Sequence, residues 1–209
     1  MAQNKAHLNP KLSIICGVIG LLGSFSSVAT NLAGIIIVER HNPISETISK
    51  LAIGEYAWLQ DIGLDALALG LVAIAIALIR WNLGGFQWKA GATLTILLAL
   101  DIVLIAEHNQ YAGREGIGAN IHIYCVSALG LLFALMTWFL GDGLRKVGQN
   151  WQRFSRAISL IWTTLAPIFF VVPDSWDGAY ERFVALIMLT WITAISWLLI
   201  KHGLADRRA

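Results

Sequence analysis

Charge is what this sequence has least of. Only 13% of its 209 residues are Asp, Glu, Lys or Arg, against about 25% in an ordinary soluble domain, which excludes a conventional water-soluble globule. Fifteen basic and thirteen acidic residues leave a formal net charge of +2, so there is neither a broad basic surface for nucleic acid nor an acidic solvating tail. Cysteine is nearly absent, with Cys16 and Cys125 alone. Four prolines are scattered singly, and there is no Pro-rich linker, low-complexity tract or tandem repeat. No polar stretch is long enough for a soluble domain.

What fills the chain instead is apolar: 57% hydrophobic residues and a mean hydropathy of +0.67. The hydrophobic residues gather into six runs, over residues 12–38, 57–79, 90–106, 119–140, 154–172 and 180–200. Each is near the roughly 20 residues that cross a hydrocarbon core. With no water there, each run must satisfy its backbone internally, and runs this long do so only as helices. The expected fold is all-α, a single integral membrane domain over residues 1–209 with six transmembrane helices. The longest non-spanning stretches are 39–56 and 141–153.

Orientation follows from the Lys and Arg inventory. The N-terminal tail (Lys5, Lys11), second loop (Arg80, Lys89), fourth loop (Arg145, Lys146, Arg153, with Arg156) and C-terminal tail (Lys201, Arg207, Arg208) hold eleven. The other side holds Arg40, Lys50, Arg114 and Arg182. Short loops rich in Lys and Arg stay cytoplasmic, so both termini are expected inside a cytoplasmic (inner) membrane. Of the acidic residues only Asp142 and Asp206 fall on that side. Tyr56, Tyr111, Tyr124 and Tyr180 mark the outer boundary, and Trp81, Trp88, Trp138, Trp151 and Trp197 the inner one. Ser27-Val28-Ala29 has the look of a signal cleavage site. However, the apolar run continues to Val38, beyond a signal core of about 7 to 15 residues, so the first span reads as a retained anchor.

Cys16 falls near the inner end of the first span and Cys125 near the outer end of the fourth. A disulfide needs Cα atoms within about 7 Å, so both read as buried free thiols. Small residues at four-residue spacing (Gly20 with Ser24, Ala66 with Gly70, Gly91 with Thr95 and Ala99, Gly130 with Ala134) read as close helix packing. Pro167 is expected to kink the fifth span, with Thr163 and Thr164 satisfying the freed carbonyls.

The residues that point to function are ionisable groups inside the spans, where a charge costs several kcal/mol. Asp61 and Asp65 share one helix face; Asp101 lies deep in the third span; Ser24, Ser27 and Asn31 form a polar stripe on the first. Glu107 and His108 close the third span, His122 opens the fourth, and Glu181 and Arg182 open the sixth. Closing around a common centre, they would line an outward-facing cavity with the paired aspartates at its floor. Each also has a plainer reading. Asp61 can cap its helix, Glu181 and Arg182 can pair with each other or with headgroups, the two His can be interfacial, and Asp65 or Asp101 can be neutral and bonded to Asn31 or a serine.

The expected function is binding of a small molecule, lipid headgroup or ion in that cavity. Candidate ligand-binding residues are Asn31, Asp61, Asp65, Asp101, His108, His122, Glu181 and Arg182. Alternatives are an intramembrane metal-assisted hydrolase acting on lipid, with His108 and His122 as metal candidates, and an accessory subunit of a membrane complex. No HxxxH or HExxH spacing supports the metal, the two His sit at the ends of one short loop rather than facing a haem, no inverted repeat marks a transporter, and no Ser-His-Asp order is assertable. No cofactor, catalytic residue or protein partner follows from the sequence; the lipid bilayer is the one partner it implies.

Between the first two spans, Ile44, Ile48 and Leu51 recur at helical spacing, with Pro43 at the start and Gly54 at the end. This predicts a short interfacial helix, with Ser45 and Ser49 on a segment able to lid the cavity. The run Asn42-Pro43-Ile44-Ser45, then Ile48-Ser49-x-Leu51, Gly54, and Trp58, Leu59, Gly63 and Gly70 resembles the opening signature of family 998 of the domains of unknown function, a family of prokaryotic multi-pass membrane proteins. His122 and Gly178-x-x-Glu181-Arg182 extend the resemblance over nearly the whole chain. It implies the six-span architecture and marks Ser45, Ser49, His122, Glu181 and Arg182 as places to look, with no activity to transfer. Where relatives show Phe-Pro-x-Asp after the third span, this chain has Ala106-Glu107-His108-Asn109.

Overall fold

The computed structural model describes residues 8–112 and 114–207; Lys5 and Arg208 of the basic inventory lie outside them. Six helices form: α1 (Pro10–Ile37), α2 (Ala57–Trp81), α3 (Phe86–His108), α4 (Ile117–Leu144), α5 (Gln149–Leu165) and α6 (Asp177–Asp206). No strand occurs among the described residues. Six helical segments are long and apolar enough to cross a membrane, the fifth including the turn that follows α5. The chain is a multi-pass membrane protein.

Local chemistry sets the helix ends. Asn9 starts α1, its Oδ1 accepting from the amides of Lys11 at 3.0 Å and Leu12 at 3.2 Å, with Pro10 at the first position where no N–H is missed. The α2–α3 turn needs left-handed backbone three times in four residues, at Asn82 (φ 44°), Gly84 and Gly85 (both φ 86°), which Asn and Gly adopt at least cost. The stretch expected as a loop over 141–153 is mostly helix, because α4 runs on to Leu144 and α5 begins at Gln149.

The helices pack in a ring in the order α6, α1, α2, α3, α4, α5, and the ring is loosest where α5 should meet α6. The α1–α2 crossing is close: Gly20 and Gly70 lie backbone to backbone, and a Cβ on Gly23 would strike the Ala66 carbonyl. Small residues there do the packing that the sequence predicts. Gly130 does not, since a Cβ on it would meet nothing within 4 Å.

Helix α5 is fastened to α4 by three side chains one turn apart. Ser155 Oγ donates to the Thr137 carbonyl at 2.6 Å, Ser159 Oγ to the Ala134 carbonyl at 2.8 Å, and the Trp162 indole to the Gly130 carbonyl at 2.9 Å. Trp191 of α6 reaches Ser155 Oγ at 3.0 Å, and its ring meets Phe133 edge-on. These contacts shut the middle of the bundle. Beyond them α5 ends at Leu165, and the chain continues as a 3-10 helix, Ala166–Val171, opened by Pro167. Thr163 and Thr164 donate to the Ser159 and Leu160 carbonyls, one turn before the place expected. The hydroxyl of Tyr180 takes the Leu165 carbonyl at 2.8 Å.

Two of the tryptophans assigned to the inner boundary turn inward instead. Trp88 is buried with its indole on the Leu78 carbonyl at 2.9 Å, and Trp81 is buried and stacked on His202 with centroids 4.6 Å apart. Cys16 and Cys125 are free and buried.

The α1–α2 crossing predicts a test. Gly23→Leu drives a side chain into the α2 backbone and should cost about 1–3 kcal/mol or more, read as a lower melting temperature in detergent. Leu22→Ala, on the exposed flank of the same helix, should leave it nearly unchanged.

Candidate functional site

Both described ends of the chain lie at one end of the bundle. The 38–56, 109–116 and 166–176 connections lie at the other, here called the loop end. Almost every polar residue singled out from the sequence sits at or near that end, but they do not share one cavity. They divide into a hub, a small polar cavity, a buried pair and one wall of a large apolar cavity.

The hub is Arg182. Its Nη1 donates to the carbonyls of Pro43 at 3.0 Å, Glu46 at 2.8 Å and Gly178 at 2.9 Å, its Nε to Asn31 Oδ1 at 3.2 Å, and its Nη2 to His41 Nε2 at 3.1 Å. Beside it Glu181 Oε2 accepts the Ile48 amide at 2.5 Å, and the Ala179 amide donates to the Ile44 carbonyl at 2.9 Å. The first turn of α6 therefore grips the α1–α2 connection through that connection's own backbone. Gly178 makes the grip possible, because a Cβ there would overlap the Glu46 and Pro43 carbonyl groups.

This grip also reshapes the connection. In place of the interfacial helix expected from Asn42 to Leu51 there is a turn at Pro43 and a five-residue 3-10 helix, Ile48–Ala52. The carbonyls of Pro43 and Ile44, which a helix would use for its own amides, are taken by α6. Glu181 and Arg182 do not pair with each other among the described residues; each faces the connection.

His41 is sandwiched in the hub, its side chain 2% exposed, with Nδ1 3.1 Å from Glu46 Oε2. Arg182 can only donate, so His41 Nε2 must accept, and the ring proton sits on Nδ1, pointing at Glu46. A second proton would place two donors face to face. Burial pushes the His41 imidazole below its ordinary value; the Glu46 carboxylate opposes this, and the charges of Arg182 and Lys50 reinforce it. The Glu46 carboxyl is itself held below its usual range, chiefly by the Asn42 amide that donates to it.

The small polar cavity, about 180 Å³, is lined by Asp61, Asp65, Glu107 and Gln110 with three alanines. Asp101 lies apart, 7% exposed, its Oδ2 without a hydrogen-bond partner; its neighbour is Cys125 on α4, not Asn31 or a serine. His108 turns back on its own helix, Nδ1 2.8 Å from the Leu104 carbonyl. Among the described residues no three His, Cys, Asp or Glu side chains gather as a metal-holding group.

The large cavity, about 420 Å³, occupies the space where α5 and α6 diverge. Its size falls within the range of about 300–1,000 Å³ common to ligand pockets. Leu64, Leu67, Ile102, Ile105, Val184 and Met188 form its inner wall. Leu131, Thr163, Pro167 and Phe170, all exposed, edge it on the flank between α4 and the broken end of α5. Gly130 and Ala134, expected to pack helices, line it instead. The hydroxyls of Ser127 and Thr163 are committed to carbonyls of their own helices, so its effective polar groups are Ser49, Asn109 and Glu181, at the loop end. Ser49 Oγ is 3.3 Å from Nε2 of His122, which is 7% exposed. Asn109 stands between the two cavities: it lines the large one, and its amide approaches Asp61 without completing a hydrogen bond. Ser45 is half-buried on the same connection. Sequence reasoning missed Ser49 as a partner of His122, and it missed His41 and Asn109 altogether. The isolated His41 in an exposed-looking loop carries no periodic signal.

A family model described as a protein of unknown function, DUF998, matches residues 21–198. No curated protein and no solved structure matches the chain.

The hub predicts a pH dependence. His41 is held neutral, so the folded chain binds fewer protons than the unfolded one as pH falls past 6.5, the ordinary value. The hub's contribution is complete above that and is lost as pH drops below it. The share of the melting temperature in detergent that His41 supplies should therefore fall between pH 7.5 and 5. His41→Gln, whose amide can still accept from Arg182 and donate to Glu46, should flatten the profile; an unchanged slope in that variant would count against the hub.

Proposed function

We propose, from the premise that the chain belongs to the DUF998 family, that this protein binds a membrane lipid with one long apolar chain. The chain of the lipid fills the large cavity, and its small polar head meets Ser49, Asn109 and Glu181. The observation that carries this reading is the cavity's polarity gradient. With the Ser127 and Thr163 hydroxyls spent on their own helices, it is apolar where it meets the flank of the bundle and offers free polar groups at the loop end, which is the profile of an amphiphile lying along the bilayer normal. Entry is from the side, past Leu131 and Phe170, so the ligand need not cross water.

The head is neutral on this reading. Nearly all of the Arg182 N–H groups are engaged by the hub, and among the described residues no cationic side chain lines the cavity, so a phosphate would find no counter-charge. The carboxylate of Glu181 would repel it. The small acidic cavity beside Asp61 is a separate feature, and the metal-assisted hydrolase finds no ligand cluster to support it among the described residues.

The whole chain, residues 1–209, is one membrane domain of a prokaryotic inner membrane. The loop end faces outward and both termini are cytoplasmic, as eleven Lys and Arg on the terminal side against four on the other favour.

Gly130→Phe tests the proposal. Space beyond the Gly130 Cα is open, so the ring enters the cavity without displacing the backbone. In delipidated protein, affinity for a fluorescent monoacylglycerol should fall at least tenfold with the melting temperature preserved. Equal binding by wild type and variant would sink the reading.

A further inference from the structure

Most hydroxyls on the described helices follow a pattern that Ser49 does not share. Ser24, Ser127, Thr163, Thr190 and Ser196 each donate to the carbonyl one turn back in their own helix, as hydroxyls in apolar surroundings do. Ser13, Ser155 and Ser159 donate to carbonyls of a neighbouring helix. Ser49, on the gripped connection, meets an imidazole instead: His122 Nε2 lies 3.3 Å from its Oγ. The other ring nitrogen, Nδ1, is buried beside the Ile105 carbonyl without a completed hydrogen bond. A proton there leaves Nε2 free to accept from Ser49.

Position matters as much as pairing. Ser49 lines the large cavity at the end where a lipid head would sit, and Asn109, 2% exposed, shares that wall; its amide nitrogen leans toward Asp61 but completes no hydrogen bond. A hydroxyl beside a base, a free N–H donor and an apolar slot leading away from both are the parts that acyl transfer requires.

We propose that Ser49 and His122 are a nucleophile–base pair that transfers the acyl group of a neutral, single-chain lipid ester held in the large cavity. This rests on the lipid-binding reading above. Ser49 Oγ attacks the ester carbonyl carbon, forming an Oγ–C bond as its proton passes to His122 Nε2, and the carbonyl electron pair moves onto oxygen beside the Asn109 amide. The pair returns, the C–O bond to the alcohol breaks, and the alcohol leaves with the proton from His122. A water molecule, deprotonated by His122, then attacks the acyl-Ser49 carbonyl; the acid departs and Ser49 regains its proton. Ester and water become acid and alcohol with no oxidant or metal needed.

The test uses two fluorophosphonates, one hexadecyl and one ethyl, on the full chain in detergent micelles, with intact-mass and peptide mass spectrometry as the readout. Wild type should gain one adduct, on Ser49, faster with the long probe. Ser49→Ala should lose it and Ser127→Ala keep it. His122→Gln should slow it by about 100-fold or more, as loss of a general base does. Gly130→Phe should remove the preference for the long chain while the ethyl probe still labels Ser49, a result that does not depend on how His122 variants fold. A wild-type chain that binds monoacylglycerol yet is labelled at Ser49 by neither probe would overturn acyl transfer and leave lipid binding standing. Absence of both binding and labelling would overturn the two together, and labelling at an unchanged rate in His122→Gln would remove His122 as the base.

Discussion

The loop end of this protein depends on one guanidinium. Arg182 begins a membrane-spanning helix, where an unpaired charge would cost several kcal/mol, and it is surrounded by three backbone carbonyls, an asparagine oxygen and an imidazole nitrogen. Three of those acceptors, the Pro43 and Glu46 carbonyls and His41, come from a connection that has little regular structure of its own. Removing the guanidinium would leave buried carbonyls without partners, at about 1–3 kcal/mol each. The arrangement thus satisfies both sides at once: the charge gains dispersed acceptors, and the connection gains a fixed shape over the bundle. Glu181 completes it by taking the Ile48 amide, which sets the next residue, Ser49, at the cavity wall.

The cavity itself follows from how α5 is held. Its Ser155, Ser159 and Trp162 fasten it to α4, and Trp191 with Phe133 closes the space against α6 at mid-depth. Past that point Pro167 ends the regular helix, and the Tyr180 hydroxyl on the Leu165 carbonyl is the hydrogen bond that still ties the end of α5 to α6. The space that opens is floored by aromatic rings, walled by aliphatic side chains and roofed by the connection that Arg182 holds. A polar helix stripe and a proline together make a pocket that neither would make alone.

Much of the architecture is legible in the sequence because the bilayer imposes length and apolarity on every span, and α2, which begins at Ala57, follows its hydrophobic run closely. The candidate site was legible only as a set of residues. Asp61, Asp101, His122 and Arg182 all stand out as polar groups at membrane depth, but their partners depend on helix rotation, which hydropathy does not encode. The sequence sets Arg182 beside Glu181 as a candidate partner, and instead it bonds to main-chain atoms more than 130 positions away. The spacing of Ile44, Ile48 and Leu51 predicts a helix in the connection, but periodicity cannot foresee carbonyls captured from another element. Gly130 and Ala134 look like packing residues because a cavity wall and a helix contact both ask for small side chains.

The account stands most directly on the grip of α6 on the 38–56 connection, and amide hydrogen exchange in lipid nanodiscs reads that grip at single bonds. In the wild type the amides of Ile48 and Ala179, which cross between the two elements, should be protected. In Arg182→Gln they should exchange at least tenfold faster, while the α1–α2 crossing keeps its protection. Equal protection of Ile48 and Ala179 in the two proteins would contradict the account, since the connection would then be held by something other than Arg182.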